Sequence, residues 1–196
     1  MLVAADPAHP EKVKVGVVLS MTGDTAAFGD MTWTGIQIAK EMKPKVLGAE
    51  LELVLVDNKS DKIEAANAAQ RVVQRDKVIA ILGEVASSRS MAISSVAESK
   101  KIPQISPSST NPLVTQGKRY VFRACFIDPF QGQVIANFAL QNLKAKTAAI
   151  LTDIAQDYSV GLSNYFKTTF EKGGGKVIKE LRYQTNDQDF SPQLTV

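Results

Sequence analysis

Two short stretches hold most of the chemistry open to this sequence. The first is Gly83-Glu84-Val85-Ala86-Ser87-Ser88, where an apolar run gives way to two hydroxyl residues that open a helix. The first amides of a helix have no partner within it, and the helix dipole favours negative charge there, so such a turn suits a carboxylate or a phosphate. The competing reading is simpler: Ser87 or Ser88 only caps the helix. The second stretch is Ser106-Pro107-Ser108-Ser109-Thr110-Asn111-Pro112. Its carbonyls and the Thr110 hydroxyl can receive an ammonium group, although Ser, Asn and Pro also make ordinary turns. Together the two offer a partner to each end of an amino acid.

Two aromatics add apolar surface. Phe28 falls in the long loop expected at Met21 to Asp30, and Tyr158 in the loop after Asp153. Each can cover an apolar ligand, although a single aromatic in a loop is more often local packing.

Other chemistries find no support. The chain has no G-x-S-x-G elbow, no Walker loop and no G-x-G-x-x-G after its first strand, and Gly23 and Gly29 are too far apart for a dinucleotide turn. The single His9 lies in a Pro-flanked N-terminal stretch, and the single Cys125 excludes an internal disulfide and any paired-cysteine metal site. Asp57 ends a strand and Asp61 opens a helix, ordinary structural uses that argue against a metal there. The reading is therefore no enzyme, no cofactor and no metal. The 23 basic and 20 acidic residues, net +3, are interspersed without a basic stripe, which argues against nucleic acid. The longest apolar runs, such as Val15 to Leu19 and Val78 to Leu82, are strand-length, well short of the roughly 18 residues a membrane span needs. Met1 to Pro10 lacks the pattern of a signal peptide.

Something must position these loops. With 44% hydrophobic and 22% charged residues among 196, the chain has a globular composition, and its β-branched runs alternate with amphipathic segments, the mark of βα units. Strands are expected at Val13 to Ser20, Leu51 to Asp57, Val78 to Leu82, Gln104 to Ser106 and Tyr120 to Phe126. Helices fall between them at about Asp30 to Met42, Asp61 to Asp76 and Ser88 to Ser99. Pro44 stops the first helix. Asp61 with Glu64 starts the second, with Ile63, Ala66, Ala69 and Val73 on one face. Strands this apolar belong in a doubly wound parallel sheet covered on both sides.

The pattern then restarts. Pro129 opens a helix to about Asn142, Thr147 to Thr152 reads as a strand, Tyr158 to Glu171 as a helix stopped by Gly173 to Gly175, and Lys176 to Tyr183 as a strand. Ser191 and Pro192 then read as the cap and first residue of another helix. This second unit has too few strands to stand alone, so a longer natural product is expected.

Read in order, the motifs resemble one family. They are Val15-Gly16-Val17-Val18, Gly23, Phe28-Gly29-Asp30, Asp57, Ser87-Ser88, the Ser106 to Pro112 stretch, Phe122-Arg123, Asp128 with Gln131-Gly132, and Asp157-Tyr158. From Lys14 to about Pro192 the chain resembles the periplasmic leucine/isoleucine/valine-binding proteins of the type I periplasmic binding fold. That resemblance implies an α/β fold with residues 1–124 as a first ligand-binding lobe and 125–196 as the first part of an incomplete second lobe. It implies an extracytoplasmic receptor, periplasmic or extracellular, that traps an aliphatic amino acid between lobes and delivers it to a membrane ABC-transporter permease.

By the same resemblance Ser87, beside Ser88, takes the ligand carboxylate. Thr110 and the carbonyl of Ser108, beside Ser109, take the ammonium, Phe28 packs on the side chain, and Tyr158 closes from the second lobe. The chain departs from the pattern at Phe28, where close relatives carry Trp or Tyr, and at Ala86, where some carry a disulfide cysteine. A sensor or regulator binding an amide or amino acid on the same fold is the alternative. Association of two copies of the truncated chain is a further expectation, motivated by unfinished sheet edges.

Overall fold

The computed structural model describes residues 11–46 and 48–195; His9 lies outside them. By packing, the chain divides into two units. One runs to Ser109 and takes in Leu113–Ala124; the other holds Thr110–Pro112 and the chain from Cys125.

The first unit is a six-stranded sheet in the order β2-β3-β1-β4-β5-β6. Its strands are β1 (Lys12–Leu19), β2 (Lys45–Val46), β3 (Ala49–Asp57), β4 (Ala80–Leu82), β5 (Gln104–Ser106) and β6 (Val121–Arg123). All neighbours are parallel except β2 against β3. Helices α1 (Ala26–Met42), α2 (Lys62–Gln74) and α3 (Ser87–Lys100) connect them. Along β1, Gly16 and Val18 face α2 and α3: a Cβ on Gly16 would lie 3.0 Å from Val72, and Val18 joins Ala65, Ala69, Val72, Ile81 and Ile93 in the core. Side chains alternate along a strand, so Val15 and Val17 point the opposite way. There α1 leaves a hollow of about 450 Å³ lined by Trp33, Lys40, Pro44 and Leu53, and Leu53 is the register partner of Val15. Helices on both faces explain why Val17, Val18 and Leu19 are all fully buried.

Several expectations are corrected in detail. Helix α1 begins at Ala26, four residues earlier than expected, which puts Phe28 in its first turn and not in a loop. Asp61 does cap α2, accepting from the amides of Ile63 and Glu64 at 2.7 and 2.8 Å. The buried face of that helix, however, is Ala65, Ala68, Ala69 and Val72. Ile63 is 71% exposed, because it lies two residues, about 200° of helix rotation, from Ala65 and so on the opposite side from the buried face. The expected strand at Tyr120 to Phe126 shrinks to Val121–Arg123, and the short edge strand β2 was not foreseen.

The second unit pairs β7 (Thr147–Asp153) with β8 (Lys176–Tyr183) in parallel, and packs α4 (Asp128–Gln141) on α5 (Asp157–Lys172). Tyr158 is thus in the first turn of α5, as the helix expected from Tyr158 to Glu171 has it, and not in the loop after Asp153. Phe170 is fully buried and stacks on Phe166 with centroids 5.3 Å apart. Of the three glycines after α5 only Gly174 takes a positive φ, 92°. The last helix, α6 (Ser191–Leu194), is capped from Phe190, so Ser191 is its first residue and Pro192 its second.

Candidate functional site

In open parallel sheets ligands bind beyond the carboxyl ends of the strands. In the first unit those ends carry three of the predicted loops. After β4 the chain turns through Gly83 and Glu84 into α3, whose N-cap is Ala86. Ser87 and Ser88 are therefore the first two helical residues and not caps, and they are 1% and 5% exposed. After β5, Ser108 is exposed and Ser109 is buried. The Ser109 hydroxyl lies 2.9 Å from the Val85 carbonyl and 2.7 Å from the Ser90 hydroxyl, while Ser108 Oγ is 3.4 Å from that same carbonyl. The structure thus gathers Ser87, Ser88, Ser108 and Ser109 around the turn from β4 to α3.

What fixes that turn is a charged side chain that its sequence neighbours do not mark as buried. Glu84 is completely buried. Its Oε1 accepts the Ser20 amide at 3.1 Å and the Ser20 hydroxyl at 2.7 Å; its Oε2 accepts the Ala86 amide at 2.6 Å and Arg89 Nε at 3.1 Å. A buried carboxylate needs this many donors to offset its lost hydration. The Glu84 carbonyl is within hydrogen-bond distance of the hydroxyls of Ser90, Ser106 and Ser109. One residue therefore joins the ends of β1, β4 and β5. Arg89 carries the linkage onward: Nη1 donates to the Ser60 carbonyl at 3.1 Å and Nη2 to Thr25 Oγ1 at 2.6 Å. Thr25 is the residue from which α1 starts, one turn before Phe28.

Asp57 does the same for the end of β3. Its carboxylate accepts the amides of Met21, Thr22 and Lys59 at 2.9, 3.2 and 2.8 Å and the Thr22 hydroxyl at 2.6 Å. Partial burial opposes its charge, but these hydrogen bonds prevail and hold its pKa below the usual carboxylate value. Asp57 is thus a loop anchor, and among the described residues no group of acidic, His or Cys side chains could hold a metal ion.

Phe28 is 55% exposed on the first turn of α1. The remaining two candidates belong to the second unit. Thr110 is 7% exposed, and its carbonyl accepts the Asp128 amide at 2.9 Å; Asn111 Nδ2 donates to the Asp157 carbonyl at 2.9 Å. Tyr158 is 38% exposed, and its hydroxyl accepts from Gln131 Nε2 at 3.1 Å. No hint of the Glu84 and Arg89 pairing was read from the sequence, although two opposite charges flanking a helix start are the one signal that could have raised it.

Arranged this way, the first unit offers buried hydroxyls and a helix start, chemistry for holding a polar solute. No helix among the described residues is long and apolar enough to cross a membrane. The family model described as "Periplasmic binding protein" matches residues 12–195. The chain is 34% identical over 94% of its length to the leucine-, isoleucine-, valine-, threonine-, and alanine-binding protein of Pseudomonas aeruginosa, covering 50% of that protein. A solved leucine-binding protein of Thermotoga maritima superposes with a TM-score of 0.91 at 57% identity, over 93% of this chain and 52% of that one. The isoleucine-bound substrate-binding protein of a branched-chain amino acid transporter from Streptococcus pneumoniae gives 0.86 at 32% identity, over 94% and 53%. The chain thus spans about half the length of the relatives it matches. With its α/β architecture and a family match across nearly every described residue, this chain belongs to the periplasmic binding protein family.

Proposed function

We propose that this chain is part of an extracytoplasmic solute receptor, not an enzyme, that delivers leucine, isoleucine, valine or a similar aliphatic amino acid to a membrane ABC-transporter permease. The observation that carries the reading is the pair Ser87 and Ser88 opening α3, after a turn whose Glu84 and Val85 carbonyls lie within hydrogen-bond distance of the Ser109 hydroxyl. Such a site binds a carboxylate by hydrogen bonds without offering a nucleophile and base. The names of the relatives, which bind branched-chain amino acids, support the same ligand class. In this reading Ser87 and Ser88 serve the carboxylate, Ser108, Ser109 and Thr110 the ammonium, and Phe28 and Tyr158 the apolar side chain. A periplasmic or extracellular location goes with it.

Native mass spectrometry of the purified chain, with leucine, isoleucine, valine and alanine supplied together, tests the proposal. An adduct with the mass of alanine, of valine, or of leucine and isoleucine, which share one mass, accompanied by ligand-dependent thermal stabilisation and no turnover, supports it. A chain that takes up none of them, alone or extended to the relatives' full length, overturns it. The same spectrum reports subunit number. Self-association, which we propose on the strength of the edge strands β6, β7 and β8, requires a dimer peak that grows with concentration.

A further inference from the structure

Glu84 and Arg89 spend their charged groups on one another and on Ser20, Ala86, Ser60 and Thr25, so as placed neither is available to touch a solute. Yet they hold the residues that are proposed to do so. Glu84 fixes Ser20 at the end of β1, Ala86 at the start of α3, and, through its carbonyl, Ser109 after β5. Arg89 Nε binds Glu84 while its two terminal nitrogens reach Ser60 and Thr25. Thr25 in turn accepts the amides of Phe28 and Gly29 through its carbonyl, at 3.1 and 3.2 Å. A chain of direct hydrogen bonds therefore runs from the Ser87 turn to the backbone of Phe28.

We infer that Glu84 and Arg89 are positioning residues, a buried ion pair that sets the first turn of α1, with Phe28, in register with the hydroxyl-bearing turns after β4 and β5. The guanidinium is suited to this because its planar fork reaches three separate acceptors from three nitrogens in fixed directions, whereas a lysine ammonium carries all its donors on one atom. It also balances the Glu84 charge, so the ground beneath Ser87 is neutral toward an incoming carboxylate. The ligand side of this inference rests on the function proposed above; the clamp itself does not.

The test uses amide hydrogen exchange by NMR on the full chain and three variants. Arg89→Lys breaks the fork, Thr25→Val removes the hydroxyl that Arg89 Nη2 and the Ser60 hydroxyl both meet, and Val72→Ala opens a cavity in the core away from these loops. Exchange at Ser20, Thr25, Phe28 and Ala86 is expected to quicken by about tenfold or more in Arg89→Lys and Thr25→Val relative to β1, and not in Val72→Ala. Leucine affinity is expected to fall by about tenfold in the same two variants. If Arg89→Lys fails to fold, Thr25→Val decides. Exchange that is unchanged, or that quickens evenly as in Val72→Ala, overturns the inference; so does undiminished leucine affinity in both clamp variants. A wild-type chain that binds no leucine, with the exchange pattern as expected, removes the proposed function and leaves the clamp standing.

Discussion

Gly29 stands so close to Ser20 that a Cβ placed on it would lie 1.8 Å from the Ser20 carbonyl oxygen. The opposing atom is backbone at the end of β1 and cannot swing aside. Gly29→Ala must therefore push the first turn of α1 away from the sheet, at a cost of about 1 to 3 kcal/mol of the kind seen on overpacking. Urea denaturation is expected to show that loss. A stability equal to wild type would mean that α1 can shift freely, and that Phe28 is not held by the helix that carries it.

Phe28 and Ser109 should separate stability from binding. Phe28 is 55% exposed, so Phe28→Ala is expected to change folding stability by no more than about 0.5 kcal/mol. Complete burial of a Phe side chain is worth about 1.5 to 3 kcal/mol, and a ligand can cover only the exposed half, so its loss should weaken leucine binding by about three- to tenfold if it covers the ligand. Ser109→Ala removes a buried hydroxyl shared by Val85, Ser90 and Glu84, and is expected to cost about 1 kcal/mol of stability. Calorimetric titration paired with thermal melts reads both. An unchanged affinity for Phe28→Ala would make that ring a bystander.

How far the sequence could be read depended on whether the signal was local. Gln104–Ser106 and Lys176–Tyr183 are strands at their expected bounds, because breakers or polar loops flank each apolar run. Asp61 caps α2 as its spacing to Glu64 suggests. The start of α1 was misplaced because Ala26-Ala27-Phe28-Gly29 offers no acidic first turn, and its N-cap Thr25 makes no side-chain cap bond. Its glycine also reads as a breaker, although it is there for close approach to Ser20. The sequence could propose Ser87, Ser88, Ser108 and Ser109 as candidates because each follows an apolar run in a polar turn. It could not propose Glu84 and Arg89, since a charged residue reads as solvated until tertiary packing closes over it, and their partners Ser20, Thr25 and Ser60 lie far off in sequence.

Asp57 should give the first unit an acid-sensitive anchor. Its folded pKa lies below the usual carboxylate value, because donors from Thr22, Lys59 and Met21 outweigh partial burial. A depressed carboxyl stabilises the fold above its unfolded-state pKa, and that contribution drains away as the pH falls through the folded one. Asp57→Asn is therefore expected to be less stable than wild type at pH 7, with the gap narrowing below about pH 4. Urea midpoints measured across that range check it. A gap that stays constant with pH would show that hydrogen-bond geometry alone, and not the charge, is what Asp57 supplies.

Two helical glycines should respond to the same substitution with opposite signs. Alanine is the better helix former by about 1 kcal/mol, so a glycine in mid-helix must be kept for another reason or for none. At Gly132 in α4 an added Cβ would meet Tyr165 Cβ at 2.6 Å and the Phe166 amide nitrogen at 2.9 Å. The contact is with the backbone of α5, so the two helices would have to separate, and overpacking of about 1 to 3 kcal/mol outweighs the gain in propensity. At Gly35 in α1 nothing lies within 4 Å of the added atom, and the full propensity gain remains. Gly132→Ala is thus expected to lower the denaturation midpoint and to quicken exchange in α4 and α5, whereas Gly35→Ala should raise the midpoint. If both raise it, the spacing of α4 and α5 is more yielding than their close approach implies; if both lower it, the open surface around Gly35 is covered in solution.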